Sequence, residues 1–146
     1  MKTTLFLFLF IPLLFVSCNK PAALPHEGAW NLVYSKSISA DTVDYEFPGI
    51  LTGSDMKVWT KNHFIFVGQF QMDTTKNDSY GGGTYKLEGN RYEENILYHT
   101  YPDFIGQKIN MLLEVKNDTL TQTWPVNDAG QIDKSNYVIE KYIRVE

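Results

Sequence analysis

The chain has 146 residues and a formal net charge of −4 at pH 7, with 43% hydrophobic and 14% aromatic residues. This length is typical of one domain, and an acidic chain without a basic patch argues against nucleic-acid binding. Cys18 is the only cysteine. The folded part therefore has no disulfide bond and must be stabilised by its core, to which aromatic side chains contribute a large buried area.

The first 17 residues have the pattern of a lipoprotein signal peptide. Lys2 precedes an apolar run over residues 5–16, and Ser17 stands directly before Cys18. The run is shorter than the roughly 20 residues that a membrane-spanning helix requires. A solitary cysteine at this place has no disulfide partner to account for it. We therefore predict lipidation of Cys18, although an ordinary secretory signal cleaved elsewhere is the alternative.

The segment after the signal predicts the location of the protein. A lipidated cysteine carries at least two acyl chains, enough for stable anchoring to a membrane. Asn19 follows it, where an aspartate would favour retention in the inner membrane. We expect a lipid-anchored protein of the cell envelope, with the outer membrane favoured. Residues 18–27 would then hold the lipidated cysteine and a short tether, and residues 28–146 the folded domain.

The folded region contains short runs rich in β-branched and aromatic residues, separated by turn signals. Gly89-Asn90 and Asn117-Asp118 have the composition of two-residue hairpin loops. Tight hairpins imply an up-and-down order, and eight such strands fit a closed barrel that can hold one small ligand. The predicted fold class is all-β, an eight-stranded up-and-down antiparallel barrel, with a possible lid in the long connection at residues 36–55. The predicted strands are residues 29–35, 56–60, 63–71, 82–88, 91–100, 108–116, 119–126 and 137–145.

The Gly89-Asn90 loop predicts which side chains of its two strands face the interior. Its register pairs oppositely charged residues on one side, which is therefore the solvent side. Because side chains alternate along a strand, Glu94 must face inward. We expect a buried Glu94 that is hydrogen-bonded to a tyrosine hydroxyl or to Arg144. The outward pairs are Glu88–Arg91 and Lys86–Glu93, and the inward residues are Tyr85, Leu87, Tyr92, Glu94, Ile96 and Tyr98.

The Asn117-Asp118 loop gives a second set of inward residues by the same reasoning. Gln122 is the polar exception among them. In the strand at residues 63–71 both faces are apolar, and we favour Phe64 and Phe66 inside, together with Trp59. The inward pairs of the second hairpin are Val115–Leu120, Leu113–Gln122 and Met111–Trp124.

The start of the first strand resembles a known family. Gly28-Ala29-Trp30 is similar to the G-x-W start of lipocalins and the wider calycin group, and Arg144 lies in the last strand. Residues 57–64, 81–85 and 89–94 are similar to exported lipocalin-like proteins of Bacteroidetes, whose function is largely undefined. The resemblance implies that Trp30 plugs one end of the barrel and that Arg144 packs across it.

Few residues suggest a metal-binding or catalytic site. His26, His63 and His99 do not fall into a metal-binding pattern, so neither a metal nor another cofactor is expected. The run Gly81-Gly82-Gly83 leads into a strand and lacks the residues of a phosphate loop. Its predicted role is structural, either as a bulge or bend in the barrel wall or as room for a neighbouring ring.

The leading functional hypothesis is a binding protein that takes a small, mostly apolar ligand into an aromatic-lined barrel, with no catalytic residue. One alternative is an accessory lipoprotein with a filled barrel that acts through a protein partner. The other is a small-barrel isomerase or hydrolase that uses Glu94. A cavity larger than about 300 Å³ would favour ligand binding. The candidate ligand-binding residues are Tyr34, Trp59, Phe64, Phe66, Tyr85, Tyr92, Glu94, Tyr98, Gln122, Trp124 and Tyr142.

Overall fold

A computed structural model of the chain describes residues 24–145. The predicted signal peptide and Cys18 lie outside the described residues. Eight antiparallel strands form a closed barrel, and a ninth strand lies outside it, so the predicted all-β barrel is confirmed. Within the described range, no helix is long and apolar enough to cross a membrane. The strands are β1 Gly28–Ser39, β2 Thr42–Phe47, β3 Leu51–Trp59, β4 His63–Met72, β5 Thr75–Glu88, β6 Arg91–His99, β7 Lys108–Lys116, β8 Thr119–Trp124 and β9 Tyr137–Arg144, with one 3-10 turn at Pro102–Phe104.

The order of strands explains the closure and the extra strand. From β3 to β9 each strand pairs with the next, and β1 closes the barrel by pairing with both β3 and β9. Only the first part of β1 pairs with β3, over Gly28 to Asn31. Its second part, from Ser35 to Ser39, pairs with β2 instead. The connection at residues 36–55 is therefore a hairpin beside the barrel wall and not a loop.

The register of both hairpins agrees with the prediction. Across Gly89-Asn90, Glu88 pairs with Arg91 and Lys86 with Glu93. Across the second loop, Val115 pairs with Leu120 and Leu113 with Gln122. Burying such a pair of opposite charges in the core would cost free energy, because both charges would lose their hydration. The charged pairs across Gly89-Asn90 therefore identify the side of these strands that faces water.

The glycine run at Gly81-Gly82-Gly83 produces a bulge in the opposite strand. Gly82 pairs with Tyr98 and Gly83 with Ile96, so Leu97 has no partner in β5. A Cβ atom at Gly81 would lie 2.5 Å from the Phe66 ring. Both structural roles predicted for these glycines are therefore confirmed.

The bulge at Leu97 also overturns one inward assignment. An extra residue reverses the alternation beyond it, so Tyr98 is 71% exposed on the outer wall. The prediction that Tyr98 faces the interior is wrong. His99 takes the inward position instead and lines the cavity of the barrel.

A second irregularity overturns the placement of Tyr34. Leu32 pairs with Tyr142 and Tyr34 with Lys141, which leaves Val33 as the extra residue in β1. The Lys141 ammonium lies 5.4 Å from the centre of the Tyr34 ring. The Tyr34 hydroxyl donates to Glu46 at 3.1 Å, and Tyr34 does not line the cavity. It therefore belongs to the outer side of the wall.

Trp30 and Arg144 form the predicted plug at one end of the barrel. Trp30 is fully buried, and the Arg144 guanidinium lies 4.2 Å from the centre of its ring. Trp30 Nε1 donates to the His26 carbonyl at 2.9 Å. Arg144 donates to the carbonyl of Glu27 at 2.9 Å and to that of Pro25. Part of the predicted tether therefore packs against this closed end.

We predict that Trp30→Ala lowers the free energy of unfolding by about 3–5 kcal/mol, because a fully buried indole is lost.

A guanidinium over an indole contributes about 0.5–2 kcal/mol, so a double-mutant cycle of Trp30→Ala with Arg144→Met should give a coupling energy in this range. The measurement is urea unfolding. A cycle of Trp30→Ala with Arg91→Met is the control and should show no coupling. Coupling near zero in the first cycle would exclude direct contact.

Candidate functional site

A cavity of about 490 Å³ occupies the end of the barrel opposite Trp30. Leu51, which begins β3, and Met72, which ends β4, both line it, whereas Trp59 at the other end of β3 is buried near the plug. Most of the wall is apolar. The apolar and aromatic lining residues include Leu32, Phe66, Phe70, Ile96, Phe104, Ile109, Met111 and Trp124.

The floor of the cavity is built around an ion pair between Lys57 and Glu94. The Lys57 ammonium lies 2.6 Å from Glu94 Oε1, and both side chains are almost completely buried. Lys57 also donates to Gln122 Oε1 at 3.1 Å, and its ammonium lies 5.0 Å from the ring centres of Trp59 and Phe64. A buried ion pair is tolerated only when further hydrogen bonds satisfy it, and these contacts supply them.

Tyr92 links the ion pair to the closed end. Its hydroxyl donates to Glu94 Oε1 at 3.0 Å and accepts from Trp59 Nε1 at 2.8 Å. Burial, with the Glu94 carboxylate beside it, raises the pKa of Tyr92 well above its usual value, so the hydroxyl keeps its proton. Glu94 is 2% exposed. The prediction of a buried Glu94 bound to a tyrosine hydroxyl is thus confirmed.

Other partners considered for Glu94 are engaged elsewhere. The Tyr85 hydroxyl donates to the carbonyl of Thr60 at 2.6 Å and shares a hydrogen bond of 2.7 Å with His26 Nε2. Arg144 lies over Trp30 at the closed end. Lys57 is the cation that balances Glu94, and it was not among the predicted inward residues.

Glu140 is a second carboxylate at the floor. Its Oε2 accepts from the Tyr142 hydroxyl at 3.0 Å. Glu140 lines the cavity, so its partly exposed surface faces that space. Burial raises the pKa of Glu140, and the nearby Lys57 charge and the Tyr142 hydrogen bond only partly offset this effect.

Asp55 is a third carboxylate and the least satisfied one. It is 8% exposed, and its Oδ2 accepts from the Ser79 hydroxyl at 3.1 Å. Its Oδ1 is buried without a hydrogen-bond partner in the described part of the chain. Burial, and then the negative charge of Glu140, raise the pKa of Asp55 to about 6.

The mouth of the cavity carries an aromatic cluster of His99, Phe104 and Tyr101. The His99 ring stacks on Phe104 with centres 4.5 Å apart and meets Phe66 edge-on at 5.6 Å. Burial lowers the pKa of His99, so the ring is favoured in its neutral form. The cluster is absent from the predicted site because the glycine run indicated a bulge but not the position of the extra residue, Leu97, in the neighbouring strand.

The structure divides the predicted site residues into three groups. Phe66, Glu94, Trp124 and Tyr142 line the cavity. Tyr34 and Tyr98 lie on the outer wall. The remaining candidates are packed in the core toward the closed end, and they are Trp59, Phe64, Tyr85, Tyr92 and Gln122.

Three polar residues of the floor were missed, namely Asp55, Lys57 and Glu140. The alternation of side chains along each strand could have placed these three residues inside the barrel. Once Trp59 is placed inside, Lys57 and Asp55 share its face, and Glu140 shares the face of Tyr142. The predicted strand began at residue 56, which removed Asp55 from consideration.

Comparisons of the chain with protein-family models, curated proteins and solved structures found no match. In the part of the chain that the structure describes, no three His, Cys, Asp or Glu side chains are grouped so that they could hold a metal ion.

We predict that Lys57→Met lowers the free energy of unfolding by about 3–5 kcal/mol, because Glu94 remains buried without its cation. Glu94→Gln should also act chiefly on stability, and the double variant Lys57→Met/Glu94→Gln should recover part of the loss. The measurement is urea unfolding at neutral pH. Lys86→Met, on the outer side of β5, is the matched control and should change stability by less than about 0.5 kcal/mol. Equal effects of Lys57→Met and Lys86→Met would contradict a structural ion pair.

Proposed function

We propose that this protein binds a small, mostly apolar ligand in its barrel, at the cell envelope, where lipid on Cys18 anchors it. The observation that carries this proposal is the cavity of about 490 Å³ at the open end of the barrel. This volume lies within the range of about 300–1,000 Å³ that is typical of ligand pockets. Such pockets combine apolar walls with a few fixed polar groups, as this cavity does.

The polar atoms of the cavity support the proposal. Asp55 Oδ1 is buried and has no hydrogen-bond partner among the described residues, and Asp55 lines the cavity. Ser35 Oγ and Trp124 Nε1 are also buried beside the cavity, next to Tyr45 and Glu140 respectively. An unsatisfied buried polar group costs about 1–3 kcal/mol, so a ligand that donates to Asp55 Oδ1 gains affinity from a group already held in place.

The barrel also supports kinship with exported lipocalin-like proteins of Bacteroidetes. Gly28-Ala29-Trp30 begins β1, and Arg144 at the end of β9 covers the Trp30 ring. One plugged end and one open end suit a binding protein. The lipid anchor and an outer-membrane location rest on the sequence around Cys18.

A protein partner is the second candidate, and one surface favours it. Ile65, Val67, Tyr80 and Tyr98 are exposed on the outer wall. Val67 pairs with Tyr80, and Gly82 lies between Ile65 and Tyr98, so the four form one apolar strip. The open cavity argues against a filled barrel. An isomerase or hydrolase using Glu94 has the least support, because Glu94 Oε1 is engaged by Lys57 and Tyr92.

We predict that protein purified from its own host retains a small molecule, which native mass spectrometry would detect as added mass and solvent extraction would release. Ile109→Trp should abolish this mass by filling the cavity that Ile109 lines. Ile65→Trp makes the same change on the outer wall and should retain the ligand. A retained molecule that survives Ile109→Trp, or a wild-type protein that never carries one, would contradict the proposal.

We predict that Cys18→Ala abolishes fatty-acid attachment, because the cysteine sulfur is the acceptor of the lipid. The measurements are incorporation of labelled palmitate and partition into detergent, with the wild-type protein as control. A variant that still incorporates fatty acid and remains with the membrane would show that the anchor lies elsewhere.

A further inference from the structure

The geometry points to a ligand that carries a protonated amine, bound at the cavity floor by Asp55 and Glu140. This inference rests on the proposed function and names the chemical class of its ligand. The apolar walls would take the hydrocarbon part of the molecule, and the two carboxylates would take its ammonium group.

Negative charge exceeds positive charge around the cavity. Asp55, Glu94 and Glu140 line its floor, and Asp78 lines it at an exposed position. Lys57 is the one Lys or Arg among the described residues that line it. Glu94 occupies that lysine at 2.6 Å. No ion pair joins Asp55 or Glu140 to a cation in residues 24–145. The floor therefore has two carboxylates that lack a direct cationic partner.

One carboxylate oxygen of Asp55 is buried without a hydrogen-bond donor among the described residues. Asp55 is more than nine-tenths buried, and Ser79 satisfies only its Oδ2. Oδ1 has no donor within the described residues. An ionised carboxylate is acceptor-only, whereas an ammonium has three donors and no acceptor. A ligand ammonium can thus satisfy Oδ1 and contact a second acceptor at the same time.

The carboxylates at the floor repel one another. Burial, and then the negative charge of Glu140, raise the pKa of Asp55 to about 6, although the Lys57 charge acts in the opposite direction. Burial raises the pKa of Glu140 as well, and the negative charge of Glu94 adds to this effect. A nearby positive charge favours the ionised form of both groups. An ammonium removes this repulsion, a neutral alcohol leaves it unchanged, and an anion increases it.

The test compares three probes with the same eight-carbon chain, namely octylamine, 1-octanol and octanoate. Calorimetric titration of the folded protein at about pH 8, where both Asp55 and the amine are charged, should show octylamine binding at least about tenfold more tightly than 1-octanol. Octanoate should bind most weakly.

Two variants assign this preference to the floor. Asp55→Asn and Glu140→Gln should each weaken octylamine binding by about tenfold and leave 1-octanol binding within about twofold. Glu114→Gln removes the same charge from the exposed side of β7 and should change neither affinity.

The pH dependence in the wild-type protein provides a test that needs no variant. The titratable groups that line the cavity come from five parts of the chain. They are Tyr45 on β2, Asp55 and Lys57 on β3, Asp78 on β5, Glu94 and His99 on β6 with Tyr101 just after it, and Glu140 and Tyr142 on β9. The pKa of Asp55 in the empty protein is about 6, so the carboxylate is protonated below that pH and charged above it. Octylamine affinity should therefore fall as the pH is lowered through about 6, while 1-octanol affinity stays constant.

The outcomes separate this inference from the proposed function. If 1-octanol or octanoate binds as tightly as octylamine, the inference that the ligand carries an amine is wrong, but the proposed binding function stands. The same holds if octylamine affinity survives both variants. If none of the three probes binds, the amine inference is wrong. If, in addition, no ligand is retained from the host, the proposed binding function fails as well.

Discussion

The ion pair between Lys57 and Glu94 is the constraint on which the interior depends. Removing two charges from water costs several kcal/mol per ion, and only good geometry and further hydrogen bonds offset that cost. Here the surrounding groups are Gln122, the Tyr92 hydroxyl and the aromatic rings that flank the ammonium. The pair therefore requires side chains from β3, β6 and β8 to meet inside the barrel. It separates a filled half, closed by Trp30, from an open half with a cavity.

Alternation of side chains decides what the open half contains, and two bulges change the alternation. The extra residue Leu97 turns Tyr98 outward and His99 inward, and the extra residue Val33 turns Tyr34 outward. A strand shifted by one residue exchanges its two faces. The same bulge at Leu97 thus places an aromatic cluster at the mouth and leaves an exposed tyrosine on the wall.

The sequence predicted the barrel and its two hairpin registers because short loops and opposite charges define them locally. It also predicted that Glu94 is buried, because the charged pairs beside Gly89-Asn90 identify the outer side of these strands. Tyr34 and Tyr98 were misplaced because a bulge depends on contacts with the neighbouring strand. Strand β2 was missed although TVDYEF alternates polar and apolar residues, because the whole segment at residues 36–55 was interpreted as one long connection. Lys57 was missed because a charged residue in a strand is usually assigned to the solvent side. Glu140 was left unassigned because the pattern of the last strand allows either Glu140 or Lys141 to share a face with apolar residues.

The two carboxylates at the floor differ from Glu94 in a way that bears on their purpose. Glu94 has a cation and a hydroxyl, so its burial is compatible with folding alone. Asp55 and Glu140 are held close enough together to affect each other, and Asp55 Oδ1 has no donor in the described structure. A serine or asparagine at either position would avoid this repulsion. Natural proteins keep such unfavourable groups mainly where function needs them. The unbalanced charge faces the cavity, which is where a ligand would provide the missing donor.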